Sequence, residues 1–243
     1  LFAATLMQDC TKTVEVVMKK RRKFIPHGAA LSPEIAQLIR WVRFTNEFRR
    51  IERVIWYKGV EGQERNGEHC YQLMLVAWFL VSRKASHLDL FKVIMYIMVH
   101  DLVETYAKDT PAFKGRLGAY DKGPSHADKV KREAKAQRRI EREWAAAFPD
   151  MIRWIKAYNA QEDEESRFAY ALDKLVPEIN IFEDNGRTDK ELGLDLDLKI
   201  PYKRPRIAKH PLLLEYYDEL CEFMRLWHQD KFHQPEKTTE AAE

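Results

Sequence analysis

Four side chains of the types that bind metal ions occur in the order His, His-Asp, Asp: His69, His100, Asp101 and Asp173. Each stands beside or inside an apolar stretch of the chain. A carboxylate or imidazole on an apolar helix face costs several kcal/mol unless it is paired, hydrogen-bonded or bound to a metal. Because three separate apolar segments carry such residues, we expect the four side chains to meet at one site.

The chemistry of this donor set is hydrolytic. Two imidazoles and two carboxylates suit one Mn²⁺, Co²⁺, Fe²⁺, Ni²⁺ or Zn²⁺ ion better than Mg²⁺, which prefers oxygen octahedra. Four protein ligands leave coordination positions for water and for a substrate oxygen. A metal held in this way lowers the pKa of bound water and binds a phosphoryl oxygen.

Glu104 is the candidate acid or base beside this metal. On a continuous helix, residues three and four positions apart lie together. The spacing therefore predicts that His100, Asp101 and Glu104 share one stripe, next to the apolar positions Val93 and Ile97.

Each residue also has an ordinary structural explanation when it is taken singly, and a lone His-Asp pair arises easily by chance. The alternatives are a core histidine for His100, a buried salt bridge to an arginine for Asp101, a pair with Lys174 or Arg167 for Asp173, and a helix N-terminal position for His69. All four occurring together favour the metal site.

The elements that must position these residues are helical. Only 9 glycines and 10 prolines occur in 243 residues, and no alternating strand pattern stands out. Helices are predicted at 33–54, 68–83, 89–106, 128–148, 149–159, 164–182 and 211–232. Residues 107–127 are predicted as a long surface loop and residues 183–209 as irregular. We expect an all-α protein with one domain over 31–232, an N-terminal extension over 1–30 and a disordered tail over 233–243.

Charge and cysteine content exclude several classes of protein. The net charge of +3 permits a phosphate-bearing partner without requiring one. The basic helix over 128–143 has interleaved glutamates and no aromatic stacking surface, so a nucleic-acid partner is not expected. Three separated cysteines form no C-x-x-C pair, which fits a reducing, cytoplasmic setting. No stretch approaches the ~18 apolar residues of a membrane span.

The motifs resemble those of the HD-domain metal-dependent phosphohydrolases. They are Asn66-Gly67-Glu68-His69, His100-Asp101-Leu102-Val103-Glu104, Asp109-Thr110, and residues 167–175 around Asp173. Within that superfamily the chain is most similar to the branch containing the bacterial 5'-deoxynucleotidases, over roughly Ile35 to Phe182. The resemblance implies a single HD-domain helical bundle, here with an extra C-terminal helix.

The resemblance also implies roles for individual residues. His69, His100, Asp101 and Asp173 would bind the metal ion. Glu104 would orient or deprotonate the attacking water, and Asp109 would protonate the leaving 5'-oxygen. A basic residue before the first motif would hold the substrate phosphate; Arg53 fits that place best, with Arg50 and Lys58 as alternatives.

Two positions depart from the family pattern. Lys108 stands where glycine is common, and Cys70-Tyr71 replaces the commoner Ser-Trp. Residues 1–30 and 183–243 match nothing in the pattern. We expect them to contribute to substrate choice or to the contacts of a homodimer.

The expected activity is removal of the 5'-phosphate from deoxyribonucleoside monophosphates. The alternatives are hydrolysis of nucleoside triphosphates or another small phosphate ester, and a non-catalytic metal- or nucleotide-binding HD module. A triphosphate pocket would need converging cations, for which Lys108, Lys114, Arg116 and Lys122 are candidates.

Overall fold

The computed structural model describes residues 31–108 and 126–231, so Asp109 and most of the predicted long loop lie outside the described residues. The chain divides into two units, one up to Asn46 and one from Glu47 onward. Every residue of the site discussed below belongs to the second unit.

The prediction of an all-α fold is confirmed, with one small hairpin added. The described elements are α1 (Pro33–Phe48), β1 (Glu52–Trp56), β2 (Gln63–Arg65), α2 (Asn66–Arg83), α3 (Leu90–Val99), α4 (Glu104–Ala107), α5 (His126–Trp144), α6 (Pro149–Ala160), α7 (Glu164–Glu183), α8 (Arg187–Leu192), α9 (Leu196–Ile207) and α10 (Pro211–Lys231). None of the described helices combines the length and the apolarity needed to cross a membrane.

Helix α7 is the centre of the second unit. It packs against α2, α3, α6, α9 and α10 and against strand β1. Its residues Phe168, Leu172 and Leu175 are completely or almost completely buried. The helix begins at a capping residue, because the side chain of Asp163 accepts a hydrogen bond from the backbone N–H of Ser166 at 2.8 Å. An element buried on so many sides is well placed to present a polar residue to the interior.

A two-stranded antiparallel hairpin precedes α2. Glu52 pairs with Arg65 and Trp56 with Gln63. The hairpin runs directly into α2, and the backbone N–H of Asn66 donates to the carbonyl oxygen of Ile51 at 2.9 Å. The predicted helix over 33–54 is therefore wrong beyond Phe48, where the chain turns into β1.

The first turn of α2 has room only for glycine at position 67. A Cβ atom at this position would lie 2.9 Å from the Cβ of Arg49 and 3.3 Å from its Cα. Real Cβ atoms do not approach this closely, so a side chain here would push the hairpin region away from α2.

Two further predictions are wrong. The predicted helix over 89–106 is interrupted: α3 ends at Val99, and α4 begins at Glu104 after a turn. The segment 183–209 is not irregular but forms α8 and α9. Gly186 and Gly193, with φ of 70° and 62°, flank α8, and α9 contains Pro201 and Pro205. Prolines usually interrupt helices because they lack the N–H donor.

Candidate metal centre

The four predicted ligands lie together. His69 comes from the first turn of α2, His100 and Asp101 from the turn that directly follows α3, and Asp173 from the middle of α7. One ligand atom from each lies within 4.8 Å of the others. His69, His100 and Asp173 are buried, whereas Asp101 is partly exposed. Segments more than a hundred residues apart therefore converge on one point.

The orientation of His100 suits a metal ligand. Its Nδ1 lies 2.7 Å from the carbonyl oxygen of Ile97, which places the ring proton on Nδ1. Its Nε2 faces carboxylate oxygens of Asp101 at 3.0 Å and Asp173 at 3.6 Å. Within the described part of the chain this buried Nε2 has no hydrogen bond of good geometry. A fixed tautomer whose second nitrogen points into a carboxylate cluster fits a bound divalent ion.

His69 is oriented by a carboxylate that we did not predict. Its Nδ1 lies 3.2 Å from Oε1 of Glu64 and its Nε2 lies 2.9 Å from Oδ1 of Asp173. A carboxylate behind a ligating histidine fixes the tautomer and the orientation of the ring. Glu64 is fully buried, and Tyr57 donates its hydroxyl to Oε1 of Glu64 at 2.8 Å. Short, polar β2 carries no sequence signal that could have singled out Glu64.

Arg53, the predicted phosphate-binding residue, reaches the same cluster from β1. Its Nη1 donates to Oδ2 of Asp101 at 2.8 Å, and its Nε lies 2.9 Å from Oε2 of Glu64. Its Nη2 lies 3.9 Å from Asp173. Of the three basic candidates, Arg50 is exposed and pairs with Glu47, and Lys58 is exposed in the hairpin loop. Arg53 is thus the candidate that the structure brings to the cluster.

Glu104 lies beside the ligands, although not on the same helix as we predicted. The turn after Val99 places Glu104 at the start of α4, where it is buried. The Asn66 Nδ2 donates to Oε2 of Glu104 at 2.6 Å, and Arg53 Nη1 donates to Oδ1 of the same amide at 3.3 Å. Asn66 therefore connects the basic and acidic candidates, a role that becomes visible only once the hairpin is in place.

Neighbouring charges hold the two carboxylates of the cluster in their ionised form. Burial would raise the pKa of Asp173, but Lys174 and His100 hold it well below its ordinary value. Burial likewise opposes ionisation of Asp101, and His100 and Arg53 lower its pKa. Burial would lower the pKa of His100, yet Asp101 and Asp173 raise it well above its usual value.

Two of the ordinary explanations considered above, the ion pairs of Asp101 and of Asp173, are present in the structure. They occur together with the histidine contacts and not instead of them. Asp101 does pair with an arginine, and Lys174 does pair with Asp173. Both carboxylates nevertheless also face histidine nitrogens. Tyr158, a residue that the sequence did not indicate, packs the edge of its ring against His100 with centroids 6.0 Å apart.

The cluster opens onto a cavity of about 370 Å³. Arg53, Asp101, Glu104 and Asp173 line one part of it, and residues of α8 and α9 line another. Pockets for small ligands begin at about 300 Å³, so the cavity has room for a small phosphate ester.

Comparison with known families agrees with this geometry. The family model for the HD domain matches residues 45–212. The match covers more than half of the chain and spans all four predicted ligands, so the protein belongs to the HD-domain family. No curated protein sequence matches the chain.

Two solved structures are similar. One, from Magnetospirillum magnetotacticum MS-1, is described as a predicted metal-dependent phosphohydrolase; it is 26% identical, with a TM-score of 0.64, over 79% of this chain and 95% of that one. The other, a conserved hypothetical protein from Pyrococcus furiosus, is 21% identical, with a TM-score of 0.51, over 77% of this chain and 99% of that one. The second likeness concerns the fold alone.

Proposed function

We propose that the protein is a metal-dependent phosphohydrolase that removes the 5'-phosphate from deoxyribonucleoside monophosphates. The observation that carries the proposal is the convergence of four metal-type ligands with Glu104 and Arg53 on one cavity. Membership of the HD-domain family, and the similarity to a structure described as a predicted metal-dependent phosphohydrolase, support the class of reaction.

The residues divide the chemistry between them. His69, His100, Asp101 and Asp173 would hold the divalent ion, which supplies positive charge for the phosphoryl oxygens and acidifies water. Glu104 would orient the attacking water and accept its proton. The hydrogen bond from Asn66 fixes the Glu104 carboxylate, because one of its oxygens is already committed to the amide.

Arg53 would bind the phosphate of the substrate. A guanidinium presents planar donors that match two phosphate oxygens at once. Its contacts with Glu64 and Asp101 hold it at the edge of the ligand cluster. Asp109, outside the described residues, remains our candidate for protonating the leaving 5'-oxygen.

The balance of charge around the cavity favours a monophosphate over a triphosphate. Six cationic and six carboxylate side chains of the described residues line it: Arg53, Lys129, Lys174, Lys199, Lys203 and Arg206, and Asp101, Glu104, Glu133, Asp173, Glu178 and Asp189. The formal charges of these side chains sum to zero. A bound divalent ion would add two positive charges, which a phosphate monoester dianion would neutralise. Among residues 31–108 and 126–231 no further cations line the cavity to match the added charge of a triphosphate; Lys114, Arg116 and Lys122, named above for that role, lie outside the described residues. Lys108 lines a different cavity, with Glu47 and Arg50.

A metal-by-substrate panel tests the proposal. Purified protein, stripped with EDTA and reloaded with Mn²⁺, Co²⁺ or Mg²⁺, is assayed for phosphate release from nucleoside mono-, di- and triphosphates. We expect turnover of deoxyribonucleoside monophosphates with Mn²⁺ or Co²⁺ and little with Mg²⁺.

The same panel separates the alternatives. Pyrophosphate or triphosphate as the product from a nucleoside triphosphate would replace the monophosphatase proposal with a triphosphohydrolase. Metal binding without release of phosphate from any substrate would indicate a non-catalytic module.

A further inference from the structure

A second buried cluster of charged residues lines the cavity away from the metal ligands. Its members are Glu178, Asp189, Lys199 and Lys203, all with at most 8% of their surface exposed. Lys199 Nζ lies 2.6 Å from a carboxylate oxygen of Glu178 and donates to Oδ2 of Asp189 at 2.6 Å. Lys203 Nζ lies 3.0 Å from Glu178. Apolar residues of similar volume would often stabilise a fold as well as buried charges do, so folding alone does not account for the cluster.

The position of this cluster relates it to the metal site. Glu178 lies four residues after Lys174 on α7, which corresponds to about 6 Å of helix rise. Pro177 accompanies it on the wall of the cavity. A substrate whose phosphate lies near Asp173 and Lys174 would extend its remaining part along this wall. The cluster is thus placed to contact the leaving group rather than the phosphate.

Helix α8, which carries Asp189, is attached to the strand that carries Arg53. The backbone N–H of Trp56 donates to Oγ1 of Thr188 at 3.0 Å. The indole N–H of Trp56 donates to Oε2 of Glu191 at 2.6 Å. The two walls of the cavity are therefore held together at a fixed separation by contacts made on β1.

Asp189 has one carboxylate oxygen that is not used by the fold. Oδ2 accepts from Lys199, whereas the buried Oδ1 has no hydrogen-bond partner among residues 31–108 and 126–231. A buried acceptor without a donor is costly, and most such groups in proteins are satisfied. Asp189 lines the cavity, and a carboxylate oxygen can only accept, so the group that would complement Oδ1 is a hydroxyl or amino donor.

We propose that Asp189 is a specificity residue whose Oδ1 accepts a hydrogen bond from a donor on the leaving group, a sugar hydroxyl or a base amine of a nucleoside. Lys199 and Glu178 act as positioning residues that hold the Asp189 carboxylate. The inference rests on the proposed phosphohydrolase function and adds the class of leaving group to it. A phosphate ester whose leaving group offers no donor gains nothing from Asp189.

The test compares two substrates on the Mn²⁺-loaded enzyme. The kcat/KM for deoxycytidine 5'-monophosphate, which carries both a sugar hydroxyl and a base amine, is divided by that for 4-nitrophenyl phosphate, in the wild type and in Asp189→Asn. In the variant the one amide oxygen meets Lys199, and an NH₂ group is left to face the ligand donor. We expect this ratio to fall about tenfold or more. A ratio unchanged from the wild type would overturn the proposal.

Asp218→Asn is the matched control. It makes the same chemical change at an exposed carboxylate that pairs with Arg204 at 2.7 and 2.8 Å and does not line the cavity. We expect the substrate ratio to stay at the wild-type value. A fall equal to that in Asp189→Asn would show a general effect of lost charge and would overturn the assignment.

Changes to the substrate identify the donor without any risk to folding. Removing the 3'-hydroxyl of the nucleotide should lower kcat/KM in the wild type but not in Asp189→Asn if the sugar supplies the donor. Replacing deoxycytidine monophosphate by deoxyuridine monophosphate should lower kcat/KM in the wild type but not in Asp189→Asn if a base amine supplies the donor. Both exchanges leaving the wild-type rate unchanged would contradict the proposal.

A binding measurement separates failure of this inference from failure of the proposed function. If the wild type releases no phosphate from any ester, calorimetry with thymidine and deoxycytidine on the metal-loaded protein still tests the subsite. Binding that weakens about tenfold in Asp189→Asn supports it, and equal or undetectable binding to both proteins overturns it.

Discussion

At the scale of single residues, the acidic side chains of the site differ in what they contact. Asp101 and Asp173 face histidine nitrogens at 3.0 and 2.9 Å. Glu104 instead accepts from the amide of Asn66, and Glu64 lies behind His69. From these contacts we propose metal binding for the first two, water orientation for Glu104 and orientation of His69 for Glu64.

Replacing Asp101 and replacing Glu104 should therefore affect metal content and turnover differently. Asp101→Ala removes a ligand and leaves Arg53 without one of its carboxylates, so we expect both metal content and phosphate release to be lost. Glu104→Gln keeps the four ligands, so we expect wild-type metal content with turnover lowered about 100-fold or more. Metal analysis of each purified variant, alongside its rate of phosphate release, measures both effects. Full activity in Glu104→Gln would contradict the role given to this residue.

Replacing Glu64 should weaken metal binding although Glu64 touches no metal. Glu64→Gln removes the negative charge that orients His69 and interacts with Arg53. Losses of about 10- to 100-fold in metal affinity are typical when such a supporting carboxylate is changed. Titration of the stripped protein with Mn²⁺ gives the affinity directly.

Glu61→Gln serves as the control for Glu64. It removes an exposed carboxylate from the loop of the same hairpin, so the Mn²⁺ affinity should equal that of the wild type. An affinity of Glu64→Gln equal to that of Glu61→Gln would mean that His69 needs no orienting partner.

At the scale of elements, the turn between α3 and α4 is what brings Glu104 to the ligands. Residues 100–103 leave the helix, and α4 contains only Glu104–Ala107. Lys108 then ends α4 with φ 63° and ψ 153°. That combination is reached almost only by glycine, which gives a physical reason for the glycine that the family commonly has here.

Lys108→Gly should therefore stabilise the protein. Relief of the unfavourable backbone conformation is expected to raise the free energy of unfolding by about 1 kcal/mol, measured by urea denaturation. Lys84→Gly is the matched control, because Lys84 ends α2 with an ordinary φ of −132°. The same change there should leave stability unchanged or lower it by about 0.5–1 kcal/mol. Equal effects at both positions would exclude relief of strain as the cause.

The sequence predicted the long helices and the convergence of His69, His100, Asp101 and Asp173, but not the small elements around them. Apolar periodicity predicted α2 and α7 and therefore the placement of His69 and Asp173. Strand β1 has five residues and β2 has three, too few for an alternating pattern to be recognised, so neither the hairpin nor the contact of Glu64 with His69 could be predicted. Pro201 and Pro205 led us to predict an irregular segment. The helix α9 forms in spite of them because it packs against α7 and α10. The contacts of Asn66 with Glu104 and of Tyr158 with His100 depend on pairings between distant segments, which local patterns do not encode.

At the scale of the whole molecule, a metal ion at this site would connect elements that are distant in the chain. His69 and Asp173 are separated by 104 residues, and His100 with Asp101 comes from a third segment. In the protein without metal, the mutual repulsion of Asp101 and Asp173 is offset by Arg53, Lys174 and the two histidines. Metal binding and folding of the unit from Glu47 onward should therefore be coupled.

Removal of the metal should lower the thermal stability of the protein. An ion that binds only the folded state, at about 100 times its Kd, adds about 2.7 kcal/mol to the free energy of unfolding. We expect the unfolding temperature of the EDTA-treated protein to rise when Mn²⁺ is added, with Mg²⁺ giving a smaller rise. In Asp101→Ala the addition of Mn²⁺ should leave the unfolding temperature unchanged, because a ligand is missing. An equal rise in Asp101→Ala and the wild type would place the bound ion elsewhere on the protein and would contradict the assignment of this ligand.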